Sequence, residues 1–376
     1  MSTMVEPATK RPVLLVVLVV GAALLGGLLL WPSPVDAAAF QPLPLSKLDD
    51  NGARVDDILE QATLLETGGD GPESVVRHEN GDIYTGLDDG RIVRFDAKQK
   101  KHDVVNTQGR PLGLAFDAEG ALIICDAKKG LLRVVLDNNF VGHTIDVLAA
   151  EHDGVPFGFT NDLDIAADGR IFFSDASTKF GIENYMFDLF EARPHGRLLV
   201  YDPATQKTAL LADKLYFANG VALAQDESFV VVNETYRFRM KRHWLKGDKA
   251  GTTDVFVDNV PGYADGLTRD AHGRFVVGLF STRKAIADRI APHPFIKETV
   301  AKLPKALWPK PNRVGAVWVL STGGEPLFSV VDADGSKFHS VSSAQITDGH
   351  LLFGQLKSTS IGVMKLPDTL RDELGQ

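Results

Sequence analysis

FTNDLDIAADGRIFFSD, residues 159–175, has the pattern of a β-hairpin. A polar residue leads a first strand, Asp168-Gly169 supplies the turn, and a very apolar second strand follows. Asp-Gly between two strand-forming runs is a strong hairpin signal, because glycine readily adopts the positive φ that tight turns require. The stretch therefore predicts two adjacent antiparallel strands.

The same pattern occurs six times along the chain. Its copies are ESVVRHENGDIYTG (73–86), LGLAFDAEGALIICD (112–126), residues 161–175, NGVALAQDESFVVVN (219–233), DGLTRDAHGRFVVGL (265–279) and VSSAQITDGHLLFGQ (341–355). In five copies a glycine occupies the turn, and Glu227 takes that position in the fourth. The spacing brackets the ~40–50 residues of a four-stranded propeller blade. The sequence predicts an all-β fold, a six-bladed β-propeller.

The leading residues of the six copies are expected to form a ring, because the first strand of each blade lines the central channel. They are Glu73, Leu112, Asn161, Asn219, Asp265 and Val341. Four of them carry carboxylate or amide oxygens, which repel one another and lose solvation unless a cation lies among them. Such ligands favour a hard cation, Ca²⁺ rather than zinc. The alternative is that these side chains cap strands or bind channel water.

These segments resemble the calcium-dependent phosphotriesterase superfamily, which includes gluconolactonases (senescence-marker proteins), paraoxonases and strictosidine synthase-like proteins. The resemblance covers residues from about 65 to 367. Its motifs are RPLGLAFD (110–117), FTNDLDI and FFSDAST (within 159–178), FANGVAL (217–223), residues 233–267 and DGHLLFGQLKSTSIGVMKL (348–366). The likeness is greatest to bacterial members similar to adipocyte plasma-membrane-associated protein. It implies one central Ca²⁺ held by Glu73, Asn161, Asn219 and Asp265.

The resemblance also implies metal-assisted hydrolysis of a lipophilic carboxylic ester or lactone, of the arylesterase or lactonase type. Asp265 is then the candidate catalytic base. Phe159 and Leu112 are candidate substrate-binding residues, since they stand where related hydrolases carry an arginine and a histidine. These departures leave a non-catalytic calcium-containing propeller as an alternative. A strictosidine synthase-like lyase is disfavoured, because residues 338–347 of the last copy contain no carboxylate.

The first 60 residues predict a membrane-anchored protein. Residues 1–11 are the expected cytoplasmic N-terminus, and the uncharged run 12–31 is long enough for a transmembrane signal anchor. Lys10 and Arg11 precede that run, which places the propeller on the periplasmic or extracytoplasmic side. Cleavage near Ala37-Ala38-Ala39 is an alternative. A proline-rich linker, 32–60, precedes the propeller at 61–376, and the net charge of −9 argues against nucleic acid as a partner.

Two insertions interrupt the blade pattern, residues 179–193 and 281–313. Their apolar spacing predicts short amphipathic helices at one face of the propeller. They are interpreted as a lid over the channel, a membrane-resting face or a cap over blade edges. His152 and His293 remain candidate acid/base groups on loops. Cys125, the one cysteine, is expected to be a buried hydrophobic residue.

Overall fold

The protein is described from a computed structural model over residues 26–27, 30–50, 52–56, 58–368 and 370. The predicted cytoplasmic segment 1–11 and most of the predicted anchor 12–31 lie outside these residues. None of the helices among the described residues combines the length and the hydrophobicity that a membrane span requires.

Six sheets of four or five strands form the blades, which confirms the predicted all-β six-bladed propeller. Two short strands come first in the chain, β1 (Ala53–Asp56) and β2 (Thr63–Glu66). Blade 1 contains β3 (Val75–Arg77), β4 (Ile83–Gly86), β5 (Arg91–Phe95) and β6 (Lys101–Asn106). Blade 2 contains β7 (Pro111–Phe116), β8 (Leu122–Asp126), β9 (Gly130–Leu136) and β10 (Gly142–Ala149). A small hairpin follows, β11 (Glu151–His152) and β12 (Val155–Pro156).

The remaining blades follow the same up-and-down order. Blade 3 contains β13 (Thr160–Ile165), β14 (Ile171–Asp175), β15 (Gly196–Asp202) and β16 (Lys207–Leu215). Blade 4 contains β17 (Ala218–Leu223), β18 (Phe229–Glu234), β19 (Arg239–Trp244) and β20 (Thr253–Val257). Blade 5 contains β21 (Gly262–Arg269), β22 (Phe275–Thr282), β23 (Gly315–Leu320) and β24 (Pro326–Asp332). Blade 6 contains β25 (Val341–Thr347), β26 (His350–Gln355) and β27 (Ser360–Lys365).

The N-terminal strands complete the last two blades. Strand β2 pairs antiparallel with β27 and supplies the fourth strand of blade 6, so the two ends of the propeller chain are joined by hydrogen bonds. Strand β1 adds to the outer edge of blade 5 in parallel with β24. The segment 32–60, expected to be a linker, therefore contributes a strand to the propeller as well.

The hairpin turns have the backbone that the sequence pattern predicts. The five turn glycines have positive φ, for example +85° at Gly169, and Glu227 adopts +52° at the same place. Glu227 is a non-glycine residue in this left-handed region, and its carboxylate accepts the backbone N–H of Ala167 from blade 3 at 2.7 Å. This contact between blades offsets part of the strain that a side chain brings at positive φ.

Large apolar side chains fill the space between neighbouring blades. Phe229 and Met240 of blade 4 pack with Phe275 and Trp318 of blade 5 in one buried cluster. Each such side chain contributes ~1.5–3 kcal/mol on full burial. Cys125 is fully buried in the interface between blades 2 and 3, as expected.

The two insertions form a helical layer over one face, here called the cap. It contains α1 (Tyr185–Glu191), α2 (Ala285–Ile290) and α3 (Pro294–Ala301), with 3-10 turns at Ile182–Asn184 and Lys305–Leu307. Phe190 and Trp308 pack edge to face at 5.0 Å, which joins the first insertion to the second. Val35 and Ala37 are buried in the same cluster.

Residues 35–44, here called the strap, run across the cap outside any helix or strand. The backbone N–H of Ala38 donates to the carbonyl of Glu191 at 2.8 Å, and that of Phe40 donates to the carbonyl of Ala291 at 3.1 Å. Further along, Asn259 Nδ2 donates to the carbonyl of Pro44 at 3.1 Å. The strap is thus fixed to the cap and to blade 4 by directional hydrogen bonds.

Candidate active site at the central channel

Bulges in the inner strands aim the ring residues into the channel. Regular pairing of β13 with β14 breaks between Thr160 and Leu163, which places Asn161 in the irregularity. Asn219 and Asp265 occupy the corresponding breaks in β17 and β21. A bulge redirects a side chain that would otherwise follow the alternation of the strand. Glu73 lies two residues before β3 and faces the same space.

The sixth ring position belongs to Ser342 and not to Val341. In blade 6, Val341 is paired with Gln355 and the break follows it, just as Thr160 is paired before the break in blade 3. The shift arises because Thr347 and His350 close a two-residue turn in this blade, where the turns of the other blades are longer. Ser342 is fully buried, and its Oγ donates to the backbone carbonyl of Glu73 at 3.1 Å.

Asn219 and Asp265 are in direct contact. Asn219 Nδ2 donates to Asp265 Oδ1 at 2.6 Å, and both residues are buried. The remaining oxygen of Asn219, Oδ1, is buried without a hydrogen-bond partner. Asn233 Nδ2 donates to the backbone carbonyl of Asp265 at 2.7 Å, which fixes the backbone beneath the carboxylate.

Glu73 is held by a buried arginine that the repeat pattern did not single out. Arg110 is 3% exposed; its guanidinium lies 3.2 Å from Glu73 Oε2 and 2.9 Å from Asp88 Oδ1. It also donates to the carbonyl of Gly71 at 2.9 Å. Arg110 directly precedes β7, so the position of the second repeat is the signal that could have placed it beside the ring. Its cation neutralises part of the negative charge of the ring.

Burial and mutual repulsion raise the pKa values of both ring carboxyls. Burial raises the pKa of Asp265 well above its usual range, and the nearby Glu73 carboxylate raises it further. Burial also raises the pKa of Glu73, while Arg110 opposes that shift. A dication among these groups would favour the charged form of each.

The donor set fits a calcium ion. Glu73, Asn161, Asn219 and Asp265 all line one cavity. The buried unpartnered oxygen of Asn219 is the kind of atom that a cation would satisfy. Within the described residues, no group of three or more His, Cys, Asp and Glu side chains is placed to hold a metal. The candidate site therefore depends on its two amide oxygens.

Above the ring lies a cavity of about 520 Å³, roofed by the cap. Phe159 lines it and packs edge to face against Phe217 at 5.4 Å, so this predicted substrate-binding residue faces the cavity. Leu112, also predicted to bind substrate, is not among the residues that line the cavity. It is 1% exposed and packs in one cluster with Phe159 and Tyr236. Among the described residues no histidine lines the cavity, so His152 and His293 stay away from the ring in this conformation.

The cap supplies most of the apolar roof. Tyr185, Leu189 and Phe190 of α1, with Ile290 and Val300 of the second insertion, line the cavity. The geometry favours the lid interpretation of the insertions, because both contribute side chains to the space directly above the ring. Phe40 of the strap completes the wall.

The fold and the ring define a class of protein, six-bladed propellers with oxygen-bearing side chains in the central channel. Within that class, residues 161–248 match the family model described as strictosidine synthase, and residues 55–95 match the model of the strictosidine synthase-like N-terminal region. The adipocyte plasma membrane-associated protein of Rattus norvegicus is 33% identical over 366 residues, which cover 90% of this chain and 94% of that protein. The chain belongs to the strictosidine synthase-like family.

Solved structures share the fold at low sequence identity. A gluconolactonase from Xanthomonas campestris superposes with a TM-score of 0.59 at 16% identity, covering 90% of this chain and 99% of the other. Regucalcin from Agrobacterium tumefaciens, described as a calcium-binding protein, gives 0.53 at 14% identity, covering 86% and 92%. At these identities the likeness concerns the fold alone.

Proposed function

We propose that this protein is a calcium-dependent hydrolase of lipophilic carboxylic esters or lactones. The observation that carries the proposal is the convergence of two carboxylates and two amides at the floor of an apolar cavity, where Asn219 Oδ1 is buried without a partner. The gluconolactonase and the calcium-binding regucalcin that share the fold support it by analogy.

The ring residues would have two roles, cation binding and general-base catalysis. Glu73, Asn161, Asn219 and Asp265 would hold the cation, and Arg110 would keep Glu73 in place. Calcium bound there would supply positive charge that polarises a substrate carbonyl. Asp265 is the candidate general base for an attacking water, because its carboxylate lies at the cavity floor and has Asn219 to orient it.

The apolar part of the cavity wall indicates a substrate with an apolar portion. Phe159, Phe217 and Leu189 lie over the ring and offer no hydrogen-bonding side-chain group to a sugar. Apolar walls with a few convergent polar groups are typical of small-molecule sites that bind by desolvation. A lipophilic aryl ester or a medium-chain lactone fits these walls.

Hydrolysis of phenyl acetate and of δ-decalactone by the full-length protein tests the proposal. We expect turnover with calcium, loss of turnover with EDTA, and loss in Asp265→Asn. Asp168→Asn, an exposed turn residue, is the matched control and should retain full activity. Calcium binding without turnover of either substrate would instead support the non-catalytic propeller. Turnover that EDTA leaves unchanged would reject the metal-dependent mechanism.

We also propose that residues 12–31 anchor the chain in a membrane, with the propeller on the extracytoplasmic side. Only residues 32–34 separate Trp31 from the strap at Val35, a span of at most about 14 Å at ~3.5 Å per residue. The cap therefore lies beside the bilayer, and its outer face exposes Ile286, Phe295, Ile296 and Leu307. Single apolar residues on a surface are common, but these four share one insertion next to the anchor.

Fluorescence quenching tests the placement of the cap. Phe295→Cys, labelled with an environment-sensitive dye on the full chain in liposomes, should be quenched by brominated lipids. The native Cys125 is fully buried and should not react. The same dye at Lys98→Cys in blade 1 should not be quenched. Equal quenching at both positions, or none at residue 295, would reject the membrane-facing cap.

A further inference from the structure

Two cationic side chains face the upper part of the cavity. Lys297 of α3 is only 5% exposed, and Arg237 follows β18 in blade 4. Both line the cavity together with the ring residues, so an apolar chain with one end at the ring has these cations within the same space.

The strap holds both cations in position. Lys297 Nζ donates to the backbone carbonyl of Ala38. The guanidinium carbon of Arg237 lies 4.0 Å from the ring centre of Phe40 and 3.6 Å from that of Tyr216, and Nη2 donates to the carbonyl of Ala192 at 2.9 Å. Arg237 Nη1 also donates to the carbonyl of Tyr236 at 3.4 Å. The aromatic contacts and these hydrogen bonds fix the guanidinium, whose remaining N–H groups are available to an anion.

Neither cation has a carboxylate partner. Within the described part of the chain, no Asp or Glu oxygen lies within 4 Å of Lys297 Nζ or of the Arg237 guanidinium nitrogens. Among the nearby carboxylates, Glu191 pairs with Lys179 and Glu234 pairs with Arg239. Burial raises the pKa of Asp188, a further carboxyl close to Arg237, to about 7, so this group is only partly ionised at neutral pH. A buried cation without a counterion costs free energy, and a bound anion would recover it.

The cavity lining as a whole carries more positive than negative side chains. Seven Lys and Arg side chains line it against five Asp and Glu side chains, although the chain as a whole carries a net charge of −9. Several of the lining carboxylates are already paired, such as Glu73 with Arg110 and Glu183 with Lys128. A bound calcium would make the cavity more positive still.

We propose that Arg237 and Lys297 form a subsite for an anionic head group, so that the substrate is an amphiphilic ester or lactone that carries a carboxylate. The inference rests on the proposed function for the position of the ester or lactone group at the ring. The position of the substrate carboxylate rests on the two cations, Lys297 of the cap and Arg237 of blade 4. The apolar wall between them, Phe159 and Leu189 included, would contact the chain of the substrate.

Equilibrium binding of hexanoate, with 1-hexanol as the uncharged probe, tests the subsite without any turnover. Calorimetric titration of the full-length protein should show tighter binding of hexanoate than of hexanol. Lys297→Met should weaken hexanoate binding about tenfold or more, as expected for loss of a charge-assisted hydrogen bond, and leave hexanol binding unchanged. Arg237→Gln should act in the same direction. Lys98→Met, which removes an exposed lysine of blade 1, is the control and should change neither.

The pH dependence of hexanoate affinity is a second test of the subsite. The pKa of Lys297 is lowered to about 8, chiefly by burial and in addition by the neighbouring Arg237 and Arg193, while Glu298 opposes the shift. Lys297 is a cation below that pH, so hexanoate affinity should fall as the pH rises from 7 to 9, and the fall should be much smaller in Lys297→Met. Hexanol affinity should not change over this range.

Repeating the titration in EDTA distinguishes hexanoate bound at the subsite from hexanoate bound to a metal in the ring. Hexanoate that still binds after chelation, and still depends on Lys297, lies at the proposed subsite. Binding that EDTA abolishes and Lys297→Met leaves unchanged would place the carboxylate on the metal and overturn the inference. Equal binding of hexanoate and hexanol would overturn it too. Ester hydrolysis without any preference for anionic substrates would retain the proposed function while rejecting the subsite.

Discussion

Asn219 Nδ2 donates a 2.6 Å hydrogen bond to Asp265 Oδ1, which joins the inner strands of blades 4 and 5 at the channel. The contact uses one polar atom of each side chain and leaves Asn219 Oδ1 buried without a partner. The pair therefore orients Asp265 and presents an amide oxygen to the same space. Neither role is available to an apolar residue at position 219.

Asn219→Ala should weaken calcium binding about tenfold or more, because it removes one ligand oxygen and the hydrogen bond that orients Asp265. Calorimetric titration of calcium measures the change. Asn139→Ala, at an exposed turn, should leave the affinity unchanged. If Asn219→Ala binds calcium as tightly as the wild type, the amide is not a ligand.

Arg110→Met should destabilise the calcium-free protein strongly. Glu73 would remain buried without its cation, which typically costs about 3–5 kcal/mol in the free energy of unfolding. Urea unfolding in EDTA measures this cost. Arg170→Met breaks an exposed ion pair with Asp168 and should change the free energy by less than about 1 kcal/mol. Equal effects of the two substitutions would show that Arg110 does not stabilise the ring.

The buried Asp188 in α1 of the cap should make the stability of the protein depend on pH. Burial raises its pKa from 3.8 to about 7, and its Oδ2 lies buried without a hydrogen-bond partner. The folded protein holds this proton more tightly than the unfolded chain does, so this residue lowers stability progressively as the pH rises from about 4 to about 7. Asp188→Asn keeps the shape of the side chain but cannot ionise, and should be more stable than the wild type by on the order of 1–3 kcal/mol at pH 8.

Thermal unfolding from pH 4 to pH 8 checks this prediction. The difference in Tm between Asp188→Asn and wild type should be small at pH 4 and largest at pH 8. Asp248→Asn, at an exposed position, should follow the wild-type profile. A constant difference across the range would mean that Asp188 is ionised in the folded protein throughout.

Alanine substitutions at two glycines distinguish the cost of backbone strain in a turn from the cost of overpacking between inner strands. Gly120 has φ of +78° and open space where a Cβ would lie, so Gly120→Ala should cost about 1 kcal/mol from backbone strain alone. A Cβ on Gly113 would lie 2.7 Å from the Cα of Asp162 in blade 3. Gly113→Ala should therefore cost roughly 1–3 kcal/mol through overpacking between the inner strands. Chemical denaturation measures both, and a larger loss at Gly120 would contradict the packing that the structure shows.

The blades could be predicted from the hairpin repeat because residues close together in the sequence determine each hairpin. Asp168-Gly169 and its equivalents define turn, strand length and register within about 15 residues, a range in which glycine conformation and alternation decide the structure. Strands β1 and β2 were not predicted, because their partners β24 and β27 lie at the other end of the chain. Ser342 was missed for a different reason: the two-residue turn in blade 6 shifts the count by one residue.

The site was only partly predictable. The ring residues follow from the repeat, whereas Arg110 lies just outside the repeated pattern and pairs with a residue of another blade. The cavity roof combines two insertions with the strap, and no periodicity links Phe40 or Lys297 to the ring. Contacts between such distant segments depend on the folded topology, and a single sequence carries no local signal for them.

Titration of calcium into the chelator-treated full-length protein tests whether the ring binds a metal ion. We expect one calcium per chain, with binding weakened strongly in Asp265→Asn and unchanged in Asp168→Asn. Absence of calcium binding by the wild-type protein, or equal binding by Asp265→Asn, would contradict the assignment of the ring as a metal site.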